Sequence, residues 1–264
     1  MNMPIRLPRH GELATPLRLL ALSLAATASA HAGLVTWGPA TTIVGNTDVS
    51  TSGTLVVAHN LGGTGNPPTT VNGVTFTPFV TNGPVNTLGN VTMSAASNIV
   101  GASTFGETVG DFTTLSTSYQ TLLESASYTG GSTPAPTITL TLAGLTVGAQ
   151  YQFQWWTNQS SFFSFDPLAP APAFPSTTAT AGNSVTLTRT GATSGSLGQF
   201  AIGVFTADAT TQSITFTGSN PQTVLNAFQL RALAAPVIPE PGSCLFGIAL
   251  AGAICARRRS SSQP

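Results

Sequence analysis

Threonine or serine alternates strictly with apolar residues along much of this chain, and that period of two constrains its fold more than any other feature. In Thr137-Ile138-Thr139-Leu140-Thr141-Leu142, an extended backbone puts three aliphatic side chains on one face and three threonines on the other. Val185-Thr186-Leu187-Thr188 and Ile214-Thr215-Phe216-Thr217 repeat the arrangement. β-Branched residues at period two describe half-buried antiparallel strands rather than helices. The same reading places strands at residues 34–37, 54–59, 91–94, 151–157, 199–206 and 224–233. Asn72-Gly73, between Thr70-Val71 and Val74-Thr75-Phe76, is the signal of a two-residue hairpin.

One helix is expected among the strands. Within residues 116–127, Tyr119, Leu122, Leu123 and Ala126 share a face, and Thr117 with Gln120 three residues later forms a capping box. A helix this short is expected to close one end of the structure rather than to form a layer. The pattern predicts an all-β fold, an antiparallel two-sheet sandwich of jelly-roll type with one short helix, as a single domain over residues 33–235.

Composition narrows the partners. Charged residues make up 6% of the 264-residue chain, against about 25% in an ordinary soluble domain, and lysine is absent. The formal charge of zero hides an asymmetry, because Arg6, Arg9, Arg18, Arg257, Arg258 and Arg259 all lie in the tails. The body keeps only Arg189 and Arg231 against Asp48, Glu107, Asp111, Glu124, Asp166 and Asp208. A mildly acidic body of this kind cannot neutralise a row of phosphates, so nucleic acid is a poor partner. Both cysteines, Cys244 and Cys255, fall in a C-terminal apolar stretch, which leaves the body without a disulfide or a thiolate metal site.

The two ends read as targeting segments. Three arginines precede the apolar run from Leu19 to Ala28, and Ala30-His31-Ala32 before Gly33 is an A-x-A cleavage site. Residues 1–32 are therefore read as a secretory signal peptide. At the other end, Pro239-Glu240-Pro241 is followed by an uncharged stretch, residues 242–256, and then by Arg257-Arg258-Arg259. As a helix that stretch would span about 22 Å, short of a bilayer core of about 30 Å. Val237 and Ile238 lengthen it, and the arginines can snorkel to the inner face. A Pro-Glu-Pro triplet, an apolar helix and an arginine cluster in this order resemble the PEP-CTERM sorting signal of Gram-negative bacteria. The resemblance covers residues 236–264. It implies recognition of the triplet by a membrane processing enzyme, an exosortase, with a transmembrane helix before processing and an envelope or matrix location outside the cell.

Two further resemblances concern the body. The segment from Leu142 to Tyr151 resembles a hairpin of fibronectin-like and galactose-binding-like sandwiches. Gln199-Phe200-Ala201-Ile202-Gly203 and Leu225-Asn226-Ala227-Phe228-Gln229-Leu230 are similar to strands of the galactose-binding-like jelly roll.

Signatures of chemistry are sparse. His59, the body's single histidine, sits in an alternating strand and reads as a solvent-facing residue. Glu107 and Asp111 are the closest carboxylate pair, but glycines around them suit a turn or a calcium ion as well as acid–base work. No catalytic residue, cofactor or metal site is assigned. The more informative region is the long connection 158–183 after the strand Tyr151-Gln152-Phe153-Gln154-Trp155-Trp156. Tyr151, Phe153 and Trp155 share the expected core face, which sets Gln152, Gln154 and Trp156 on the other. Together with Phe162, Phe163 and Asp166 of the connection, these could stack a sugar ring and bind its hydroxyls. Alternatively, the phenylalanines fold back on Trp156 as a second small core. The Thr-x-Thr rows admit an ice- or matrix-binding face, and plain exposed strands explain them more cheaply. The expected protein is a non-enzymatic exported β-sandwich that binds polysaccharide. Its rivals are a purely structural surface or biofilm protein and a carbohydrate-active enzyme.

Overall fold

Sixteen strands hold more than half of the residues described by the computed structural model, namely 33–130, 136–161, 175–219 and 222–234. In chain order they are β1 Thr36–Trp37, β2 Thr41–Thr42, β3 Thr54–Gly62, β4 Thr69–Val71, β5 Val74–Val80, β6 Asn82–Leu88, β7 Val91–Ala102, β8 Ala126–Gly130, β9 Thr137–Ala143, β10 Gln150–Thr157, β11 Ser176–Ala181, β12 Asn183–Thr188, β13 Gln199–Thr206, β14 Thr211–Gly218, β15 Gln222–Leu225 and β16 Ala227–Ala232. Among the described residues one α-helix, α1, spans Thr117–Glu124 between β7 and β8. Sheet one runs β1-β13-β10-β16-β3-β5-β4 with β2 beside β13, and sheet two runs β12-β11-β14-β9-β7-β8-β15 with β6 beside β7. The pairings are antiparallel except that of β3 with β5, which is parallel.

The alternating segments explain how the sheets pack. Ile138, Leu140 and Leu142 of β9, Leu187 of β12, and Ile214 and Phe216 of β14 meet Tyr151, Phe153 and Trp155 of β10 in one buried cluster between the sheets. Trp155 and Phe216 touch edge to face across that interface, with ring centroids 5.0 Å apart. Each such side chain contributes roughly 1.5–3 kcal/mol by leaving water. The Asn72-Gly73 hairpin also forms: Val71 pairs with Val74, and both turn residues have positive φ, 50° and 74°. That backbone is what a type I′ turn demands.

Several elements differ from the sequence reading. Residues 224–233 are two strands, because the chain leaves sheet two at Asn226 and enters sheet one. The Asn226 amide makes the corner tenable: Nδ2 donates to the carbonyls of Leu123 (2.7 Å) and Ser125 (2.9 Å), and Oδ1 accepts from the Asn158 amide (2.6 Å). The segment from Leu142 to Tyr151 is likewise no hairpin, since β9 lies in sheet two and β10 in sheet one. The long connection is shorter than expected, since β11 occupies Ser176–Ala181.

The helix ends at Glu124, and Ala126 begins β8 instead of extending it. Its N-cap is Ser116 rather than Thr117, with Oγ accepting from the Tyr119 amide, while the Gln120 side chain donates back to the Leu115 carbonyl. The helix does not close an end. Tyr119, Leu122 and Leu123 pack with Phe76, Trp156, Phe200 and Ala227 on the outer face of sheet one, as a partial third layer. Among the described residues no helix is long and apolar enough to cross a membrane. Residues 1–32, read above as a signal peptide, and the stretch 242–256, read as a transmembrane helix, lie outside the described residues.

Candidate functional site

The outer face of β10 was the candidate ligand platform, with a second small core around Trp156 as the alternative, and the structure covers it. Gln154 is fully buried and Gln152 is half-buried beneath the segment 48–53, which crosses the face as a strap. Gln154 Oε1 accepts from the Ser50 amide (2.9 Å) and from Gln229 Nε2 (2.7 Å), while its own Nε2 donates to the Asp48 carbonyl (2.6 Å). Gln152 Oε1 accepts from the Ser50 hydroxyl at 2.6 Å. Gln229 donates to the Ser50 carbonyl (3.0 Å). Arg231 donates to the carbonyls of Thr51, Ser52 and Gly53 and to Gln229 Oε1. The amides expected to bind sugar hydroxyls thus bind the protein's own backbone. The strap's peptide groups that face the sheet need partners, and these side chains supply them.

Trp156, two residues along the same face, has no exposed surface. Its ring meets Phe76 edge to face with centroids 5.7 Å apart and lies 6.4 Å from Phe200. The indole Nε1 donates to the Tyr119 hydroxyl (2.9 Å), which donates in turn to Asp48 Oδ2 (3.3 Å). Asp48 Oδ2 also accepts the amides of Val44 and Gly45. Burial, then the nearby Asp48 carboxylate, pushes the Tyr119 phenol well above its ordinary pKa, so it stays a donor. A sugar ring cannot reach Trp156. The second core around it is built by α1 and β5, while Phe162, Phe163 and Asp166 lie outside the described residues.

The remaining sequence candidates do not converge. His59 is buried at 4% exposure, not solvent-facing, because β3 turns that side inward between Phe79 and Phe228. Glu107 accepts from the amide and hydroxyl of its neighbour Thr108. Asp111 is exposed in a short 3₁₀ turn, Gly110–Thr114, at the edge of a polar cleft of about 450 Å³ shared with Thr188, Thr190 and Ser196. Among the described residues no three metal-binding side chains cluster. Arg189 is buried, which lowers its pKa to about 10, and Nη2 donates to the Ser219 carbonyl. Of the residues expected to direct export and sorting only Gly33 is described; a side chain there would collide with the Thr206 carbonyl. Ala30, Ala32, Pro239, Glu240, Pro241, Arg257, Arg258 and Arg259 lie outside.

Sheet two presents a different outer surface. Its register aligns hydroxyls from strand to strand in three rows. One row is Thr186, Thr178, Thr217 and Thr137. The next is Ser184, Thr180, Thr215, Thr139 and Ser94. The third is Ser213, Thr141, Thr92 and Thr87. All of these side chains are exposed or half-buried. Neighbours are about 4.8 Å apart across strands and about 7 Å apart along them, as strand geometry requires. Some hydroxyls bond laterally, Thr178 with Thr186 (2.8 Å) and Thr141 with Ser213 (3.1 Å). The alternation in the sequence shows each strand's row, but only the register shows that the rows align. Compared with known proteins, the chain matches no family model and no curated sequence.

Proposed function

We propose that this chain is an exported, non-enzymatic protein of the cell envelope or extracellular matrix, sorted by its PEP-CTERM-like tail, whose sandwich contacts neutral polysaccharide through the outer face of sheet two. The observation that carries the polysaccharide contact is the aligned hydroxyl lattice on that face. A field of uncharged donors and acceptors at regular spacing suits a partner that repeats hydroxyls along a chain, with each contact weak and the sum considerable. The tail supports the location: Pro239-Glu240-Pro241 would be read by an exosortase, with residues 242–256 as the transmembrane helix and Arg257 to Arg259 as the basic stop. Residues 1–32 would be removed at Ala30-His31-Ala32, leaving Gly33 first.

Co-sedimentation of the exported protein with insoluble neutral polysaccharides tests the contact. Wild type should sediment with the polymer, and Thr139→Val combined with Thr215→Val and Thr180→Val should lose about tenfold in affinity while melting normally. Equal sedimentation of this variant would remove the face from the proposal. Hydrolysis of the polymer that disappears with Glu107→Gln or Asp111→Asn would replace the non-enzymatic reading. The internal engagement of Gln152, Gln154 and Trp156 favours a second reading, a structural surface protein without a small ligand. Absence of any glycan binding by wild type would leave that one standing.

A further inference from the structure

At one end of the sandwich, between β3 and β16 of sheet one and β7 and β9 of sheet two, the sheets part around a cavity of about 520 Å³. Its walls are mostly aliphatic, from Val57, Leu88, Val91, Leu142 and Leu230, with Thr77 and Asn90 as polar neighbours, and His59 is its one titratable lining residue. Ligand pockets for small molecules span about 300–1,000 Å³ and pair an apolar lining with few polar groups. This cavity has that character, unlike the polar cleft beside Asp111.

The histidine's hydrogen bonds fix what it offers. Nδ1 lies 3.2 Å from the Thr77 carbonyl and 3.0 Å from the Thr77 hydroxyl. A carbonyl oxygen can only accept, so Nδ1 carries the proton in the neutral ring, and the Thr77 hydroxyl is free to donate to the Ala58 carbonyl (3.3 Å). Nε2 is then a bare lone pair, and it has no partner among the described residues. Phe79 and Phe228 hold the ring edge-on, at centroid distances of 5.3 and 5.5 Å.

We propose that this cavity is a binding site for a small apolar molecule carrying one hydroxyl, a phenol or an aliphatic alcohol, whose O–H donates to His59 Nε2 while its hydrocarbon body lies against the aliphatic walls. A sugar does not fit this chemistry, because most of its hydroxyls would face aliphatic side chains unpaired. The site is therefore separate from the hydroxyl lattice and independent of the polysaccharide contact.

The test uses the exported protein purified without detergent, with p-cresol and toluene as probes that differ by one hydroxyl. Titration followed by calorimetry and by the His59 ring resonances should show saturable p-cresol binding that shifts those resonances. Toluene should bind about fivefold to tenfold more weakly, the worth of one neutral hydrogen bond. His59→Phe keeps an aromatic ring between Phe79 and Phe228 and should abolish the preference for p-cresol. Leu88→Trp, at the exposed rim, should block both probes without touching the core. No saturable binding by wild type, equal affinity for the two probes, or p-cresol binding unchanged by Leu88→Trp would each overturn the proposal. If His59→Phe fails to fold, the wild-type preference and the rim variant still decide it.

Discussion

The outer faces of the two sheets start from the same period of two, outward side chains in alternation with core residues, yet one is roofed and the other is bare. On sheet two the alternate positions are threonine and serine, short side chains that satisfy one another or water and need no cover. On sheet one they are Gln152, Gln154, Trp156, Gln229 and Arg231, long or bulky groups that reach past the sheet and hold chain on top of it. Side-chain length at the outward positions thus separates a face that gathers a third layer from one left open to a partner. The general lesson is that period two gives the phase of a strand but not what lies over its polar side.

The contrast can be broken by substitution at matched depths. Trp156→Ala removes a fully buried aromatic from the cluster with Phe76, Phe200 and α1 and should destabilise folding by about 3–5 kcal/mol, measured by urea unfolding. An effect under about 1 kcal/mol would mean that the ring is on an open surface after all. Gln154→Leu leaves the Ser50 amide and the Asp48 carbonyl without their partner under the strap, and a loss of about 2–3 kcal/mol is expected. If the strap is dispensable, the same variant will be neutral.

A smaller, pH-dependent effect comes from the buried histidine. Burial lowers the His59 pKa below its ordinary 6.5, and the bond to the Thr77 carbonyl opposes this only in part. The unfolded chain therefore takes up the proton first. The contribution of His59 to stability is complete above about pH 6.5 and is lost as pH falls toward the lowered folded value. Melting temperature should decline on acidification from pH 7.5 to 5, and His59→Phe should flatten that part of the profile. The smallest effect is expected on sheet two, where Thr139→Val alone should change stability by less than about 0.5 kcal/mol.

How much could be read in advance follows the same division. β9, β12 and β14 were legible because each has its own alternation, and the β4–β5 hairpin because Asn72-Gly73 permits little else. The core face of β10 was also legible: Tyr151, Phe153 and Trp155 lie inside as their phase requires. The corner at Asn226 was hidden, since the residues on either side continue the strand pattern without a break. β6 lacks alternation, and β11 is built from small residues with little contrast, so neither announced itself. The roof over sheet one depends on contacts from residues 48–53 and 119–123 to β10 and β16, separated by 30 or more positions. No local pattern records contacts of that range, which is why the sequence left Trp156 open between a ligand platform and a second core.

The most direct test of this account is the solvent exposure of the three tryptophans in the intact protein. Labelled with 5-fluorotryptophan and assigned with Trp156→Phe, the chain should give three fluorine resonances. Those of Trp155 and Trp156 should show no shift between H2O and D2O, and that of half-buried Trp37 should show a partial one. Added polysaccharide should leave the Trp156 resonance in place. A full solvent shift at Trp156, or its displacement by the glycan, would contradict the claim that sheet one is roofed and would return the binding site to β10.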